Sequence, residues 1–384
     1  MKARLRLLCA ILAALAIATL CATGSYAAAG PHYLITNNDH SQSNSATFYT
    51  IINNGSLRQV AVVSTGGTGV DGIGDVATKR VSVLSSSTQN CAFISDAGSA
   101  DIAGISIATL TATGTFKAAS TDSGPQGVGV VNNGTFLYAS FTGSKTIATY
   151  QILSGCKLKF IRDIAASGLN GGAVLDMAAH GGILVASFFD GSIGSFDIAH
   201  GVPVPNHDHQ LSTGNTQNGS FPAGVDITSD GHYAIFGGTA SPPLAEVSDI
   251  SSGKLEPTVV YSNLGTASGS EAIWLSPDET LLYLSNFSSS QVTAALFDRT
   301  TGTVSNGCTS SPLKGNSFEA GLATANQLGT GSTLYVAEPD INIGIVNVTE
   351  SSGSCSLVEA QSSPATDSDT ITIESISAFP PRPF

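Results

Sequence analysis

The sequence is poor in charge: only 11% of its 384 residues are Asp, Glu, Lys or Arg. It holds a single tryptophan and two methionines. Basic residues are outnumbered, 15 against 28 acids, so no basic track exists for a nucleic acid to follow. Beyond the first 29 residues there is no apolar run long enough to cross a bilayer and no useful stretch of helical periodicity. Several catalytic signatures are missing as well. There is no Gly-x-Ser-x-Gly elbow, no phosphate loop, no Gly-x-Gly-x-x-Gly before a helix, and no cysteine spacing suited to zinc.

What is present begins with a leader. Lys2, Arg4 and Arg6 precede an apolar run, Leu7 to Leu20, and small residues follow up to Ala29. That order is read as a secretory signal peptide over residues 1–29, so the mature chain is expected to be secreted or periplasmic. Cleavage would remove three basic residues and no acid, moving the net charge from −13 to −16. Four cysteines would remain. Export permits disulfides, and Cys308 with Cys355 is the best candidate bridge, while Cys91, in the apolar stretch Cys-Ala-Phe-Ile, reads as a buried free thiol.

A repeat runs through the rest. Gly127 to Phe141, Gly224 to Phe236 and Ala272 to Asn286 each read as an alternating strand, a turn rich in Asn, Asp and Gly, and a second strand. Anchored on the second strand at Leu34, Phe93, Tyr138, Val185, Ile235, Tyr283 and Tyr335, the spacings are 59, 45, 47, 50, 48 and 52 residues. Four short strands in each such period make a propeller blade. The expected fold is therefore all-β, a seven-bladed β-propeller with four antiparallel strands per blade. Blades are expected at about 30–69, 70–122, 123–168, 169–216, 217–266, 267–316 and 317–362. The first lacks an inner strand, and Thr370 to Phe379 is an orphan strand that would close the ring there. Residues 199–221 read as a polar loop between the fourth and fifth blades.

The blade opening Pro-x-Gly-Val and the continuation Ser-x-Asp-Gly-x-x-x-Tyr resemble the lactonase-type propellers, the 6-phosphogluconolactonase-like and YVTN-repeat proteins. The matching stretches are Pro125 to Ser140, Pro222 to Phe236 and Ser270 to Asn286. The resemblance implies a small polar ligand, such as a sugar or sugar lactone, at the channel mouth, with lactone hydrolysis as the enzymatic outcome. The family's His-Pro pairs at blade starts are absent. A non-catalytic binding or protein-interaction scaffold therefore stands as the alternative.

Candidate site residues follow from aligning the repeats. Gln126, Ala173, Ala223, Glu271, Glu319 and Glu374 fall at one level, where inner strands begin. Converging Glu271, Glu319 and Glu374 would suit a hard cation such as Ca²⁺, although no cofactor is required. Glu271 or Glu319 could act as general base, with Lys79 or Arg80 stabilising the oxyanion. Asp176 and Asp226 share a second level, as channel-lining acids or as structural bonds to the next blade. Trp274, at the level of Asp226, could stack on a sugar ring or pack in the core. The histidines of His207-Asp208-His209 read as solvated loop. A monomer is expected.

Overall fold

The Asn132-Asn133-Gly134 turn illustrates why these hairpins form. Asn132 Oδ1 accepts from Gly134 N (3.0 Å), and Asn133 Oδ1 accepts from Thr135 N (3.2 Å) and Phe136 N (2.9 Å). Gly134 sits at φ +89°, a conformation that costs glycine nothing. The flanking strands alternate, so successive side chains face opposite sides of the sheet.

A computed structural model describes residues 32–71, 79–119, 122, 128–205, 208–213, 222–239, 242–265, 270–286, 288–315, 321–326, 332–338, 341–351, 353–367, 369, 373 and 375–382. The leader lies outside them. Among the described residues there is no helix, and none long and apolar enough to cross a membrane.

Seven antiparallel sheets form, each built outward from an inner strand. The inner strands are Ser375–Phe379, Val81–Ser85, Val128–Asn132, Val174–His180, Pro222–Ile227, Ser270–Leu275 and Gly321–Asn326, for blades 1 to 7. Neighbouring inner strands touch in that cyclic order, so the ring is closed. The closing strand pairs with Tyr33–Asn37 over five residues, Tyr33 opposite Phe379 and Asn37 opposite Ser375. Chain order alone would leave blade 1 with three strands, and this pairing completes it.

The core consists of the seams between blades. Seven buried clusters each combine residues of two adjacent blades. Strand alternation produces them. In blade 7, Leu334 and Val336 face blade 6, while Tyr335 and Ala337 face blade 1. In blade 4, Leu184 and Ala186 face blade 3, while Ile183 and Val185 face blade 5. A lone four-stranded sheet could not bury both faces; the ring buries every one.

Polar clasps cross the seams. Tyr138 Oη donates to Gly201 O (3.1 Å) in blade 4, and Tyr335 Oη donates to Gly55 O (2.8 Å) in blade 1. Each tyrosine thereby ties its second strand to an outer turn of the next blade. Two disulfides do the same. Cys308–Cys355 joins the outer strands of blades 6 and 7, and Cys91–Cys156 joins blades 2 and 3. Cys91 is thus not a free thiol. Its apolar surroundings are the blade 2–3 seam itself, which brings Cys156 within bonding distance. Within the expected polar loop at 199–221, the described residues hold strands instead: Val202–Pro205 is the outer strand of blade 4, and Gln210–Leu211 pairs with the same third strand.

Candidate functional site

The inner strands surround a central channel. Its enclosed space is about 100 Å³ and is walled by Val83, Val130, Met177, Ile227 and Ile273 among apolar residues. Polar groups interrupt that wall: Lys79, Asn132, Asp176, Asp226, Ser375, Ser377 and Arg382, together with Trp274.

Two charged struts cross this space. Lys79, just before the inner strand of blade 2, reaches blade 4. Its Nζ lies 2.9 Å from Asp176 Oδ2 and 3.2 Å from Met177 O, and it also donates to Val225 O of blade 5. The same Asp176 Oδ2 accepts from Val225 N (2.7 Å), while Oδ1 accepts from Met177 N (2.8 Å). Burial pushes this carboxyl upward, and Lys79 opposes the rise.

The second strut repeats the pattern toward the other mouth. Asp226 Oδ2 accepts from Leu275 N of blade 6 (2.9 Å), and Oδ1 accepts from Ile227 N (2.8 Å). Its cation is Arg382, in the segment after the closing strand. Arg382 Nη1 donates to Asp226 Oδ2 (3.1 Å), and Nη2 donates to Oδ1 (3.0 Å) and to Ile227 O (2.5 Å). Both aspartates therefore clasp the next blade, as the structural reading of these positions held.

They do not share a level, however. Asp226 pairs with Ile235 and Trp274 with Tyr283, which puts those two at one height. In blade 4 that height belongs to Ala178, opposite Val185. The hairpin turn of blade 4 is two residues shorter, Ala179 pairing with Leu184 where Ile227 pairs with Ala234 in blade 5, and this sets Asp176 two residues nearer the strand start. The channel thus has an upper Lys79–Asp176 tier and a lower Arg382–Asp226 tier.

The other candidates fall as follows. Arg80 is wholly buried, with Nη1 3.4 Å from Asp39 Oδ2, on the blade 1 side of its strand. Trp274 lines the channel and is partly exposed to it. Glu271 lies on the inner strand of blade 6, but its side chain is outside the described residues. Gln126, Glu319 and Glu374 lie outside them entirely, as does His207. Among the described residues, no group of three or more His, Cys, Asp or Glu is arranged to hold a metal. His209 packs against Phe188 (5.3 Å) and Phe196 (5.7 Å) rather than lying in solvent.

Two residues of this region escaped sequence reasoning, Arg382 and Glu279. Glu279 occupies the turn position that Gly231 holds in blade 5, with a left-handed backbone at φ 59°. Its Oε1 accepts from Ser229 N (2.6 Å) and lies 3.7 Å from Arg382 Nε, while Oε2 lies 3.5 Å from Arg299 Nη1. The available signal was a single one: a non-glycine residue in a glycine turn.

This architecture defines a seven-bladed β-propeller whose channel is crossed by paired charges. Solved structures share the fold at low identity. A candidate 6-phosphogluconolactonase from Bacteroides fragilis is 16% identical, with a TM-score of 0.64, covering 92% of this chain and 99% of that one. A Lactobacillus plantarum protein is 13% identical, with a TM-score of 0.65, covering 91% and 99%. The periplasmic gluconolactonase of Pseudomonas aeruginosa is 17% identical, with a TM-score of 0.54, covering 72% and 81%. At such identity the likeness establishes the fold. No family model and no curated protein matches the sequence.

Proposed function

We propose that this chain is an exported, lactonase-type propeller that binds a small polar, sugar-like ligand in its channel. The observation that carries the reading is the composition of the channel wall. The only tryptophan in the chain lines it at the height of Asp226, with an amide, Asn132, two hydroxyls, Ser375 and Ser377, and the Lys79–Asp176 pair nearer the strand starts. An aromatic face with a few placed polar groups suits a sugar ring, apolar on its faces and hydroxylated at its rim. Ligand pockets usually run to ~300 Å³ or more. The enclosed space is smaller, so only one edge of a ring enters and the rest sits in the mouth.

Binding is placed ahead of hydrolysis because Lys79 is already held by a carboxylate and two carbonyls, and Arg80 is buried against Asp39. Neither is free to meet an oxyanion. Hydrolytic ring opening is the second reading. It is favoured by the names of the propellers from Bacteroides and Pseudomonas, with Glu271 as base. Export is supported by the leader and by two disulfides, which persist in oxidising compartments.

Because Trp274 is the sole tryptophan, its fluorescence reports the channel. Titration with a panel of aldonolactones and their open acids is expected to give a saturable change, lost in Asp176→Asn. A flat titration across the panel refutes ligand binding in this channel. Lactone consumption that vanishes in Glu271→Gln establishes the hydrolytic reading instead.

A further inference from the structure

The lower tier has the construction of a binding pocket whose occupant comes from the chain itself. After the closing strand, Pro380 and Pro381 carry the backbone back over the channel, and Pro381 and Arg382 line it. The Arg382 side chain is only 6% exposed. Its guanidinium donates to two acceptors and has a second carboxylate 3.7 Å from Nε. Asp226 takes Nη1 and Nη2 as a fork, the Ile227 carbonyl takes Nη2 again, and Glu279 faces Nε.

Several features show that these acceptors are built for such a cation. Asp226 is anchored by two backbone N–H groups, Leu275 and Ile227, which fix its plane. Glu279 is held by Ser229 N and is 1% exposed. It stands on a left-handed backbone where blade 5 has glycine, so this turn accepts strain to deliver a buried carboxylate. Arg299 neutralises Glu279 only from outside, its own side chain being 47% exposed and shared with Asp230. Without Arg382, two buried carboxylates would be left with one solvated arginine between them, a costly state that draws in a cation. The fork on Asp226, with the Ile227 carbonyl taking Nη2 as well, matches a planar guanidinium and not the point charge of an ammonium.

We propose that the strand-end mouth of the channel is a peptidyl-arginine site, occupied here by the chain's own Pro380-Pro381-Arg382, and that it accepts the same chemistry in trans once the resident guanidinium is removed. The site is at the height of Trp274 and so borders the space proposed for the sugar-like ligand, but it is built from other side chains and is read by a different measurement.

The test uses the full chain carrying Arg382→Ala, with methylguanidinium, methylammonium and acetyl-Pro-Pro-Arg-amide as probes and thermal midpoint as readout. The variant is expected to melt several degrees below wild type. Millimolar methylguanidinium and the peptide should restore the midpoint saturably, methylammonium should not, and wild type should respond to neither guanidinium probe. Adding Asp226→Asn to the variant should abolish the rescue. A folded Arg382→Ala protein with no saturable rescue, or one rescued equally by methylammonium, overturns the proposal. If Arg382→Ala does not fold, Arg382→Lys serves. A midpoint equal to wild type overturns the proposal, and a lowered midpoint raised by methylguanidinium supports it.

Discussion

At the scale of single residues, buried acids carry most of the electrostatic cost of this molecule. Asp96, on the second strand of blade 2, is fully buried. Its Oδ1 accepts from Asn44 Nδ2 (2.8 Å) and Thr65 Oγ1 (2.8 Å), both in blade 1. Asp101 lies directly across the hairpin, and a Cβ on Gly67 would stand 2.4 Å from Asp96 and 2.6 Å from Asp101. Only glycine fits between the two carboxyls. Burial pushes the Asp96 carboxyl up to about 8, aided by Asp101 and opposed by Thr65 and Asn44. The unfolded chain loses this proton near pH ~4. Between those values the folded state holds a proton that the unfolded state has lost, so stability falls as pH rises and levels off above the folded value. The urea midpoint should therefore decline from pH 5 to 8.5, and Asp96→Asn should flatten the decline. The asparagine keeps both accepted bonds through its carbonyl oxygen and donates to Asp101 from its amide. A slope unchanged in the variant would assign the effect to another group.

At the scale of strands and turns, the weakest joints are the outer edges of the blades. Inner strands touch all around the channel, outer strands come together at only some seams, and among the described residues no ladder hydrogen bonds link one sheet to the next. Cys308–Cys355 ties two outer strands that otherwise share no ladder, closing 47 residues of chain. Loop-closure entropy for that length amounts to about 4 kcal/mol, of which strain and residual structure usually leave about 2–4 kcal/mol. Replacing both cysteines by serine should lower unfolding free energy by that amount, and a dithiol reductant should lower it further in the variant, where Cys91–Cys156 remains. This pairing was readable in the repeat, because both cysteines fall near the outer strands of consecutive blades. The bond to Cys91 was not readable. An apolar strand around a cysteine looks the same whether the thiol is free or faces a partner across a seam, and Cys156 sits in a turn 65 residues away.

At the scale of the whole molecule, the ring has no end from which to fray. An open repeat array loses its terminal units first. Here the inner strand of blade 1 comes from residues 375–379, so the seams on both sides of that blade depend on one short strand. Ile376 is 3% exposed in the blade 7–1 seam. Ile376→Asp places a carboxylate there without a partner and should cost about 3–5 kcal/mol. The consequence should reach the far side: Trp274 fluorescence from blade 6 and far-ultraviolet circular dichroism should shift to the same lower urea midpoint. Separate midpoints would show that blades unfold independently of closure.

Periodicity and turn chemistry decide the blade count, the direction of each side chain and the closing strand, because a local pattern of alternating strands and glycine or asparagine turns has one economical way to bury its faces. Those features are written in stretches of ten or fifteen residues. Which acid meets which cation is written nowhere locally. Lys79 and Asp176 are 97 residues apart, Arg382 and Asp226 are 156 apart, and the height of Asp176 depends on the length of the turn that follows its strand. Such pairs exist only once seven sheets have closed around a channel narrow enough for two side chains to span it.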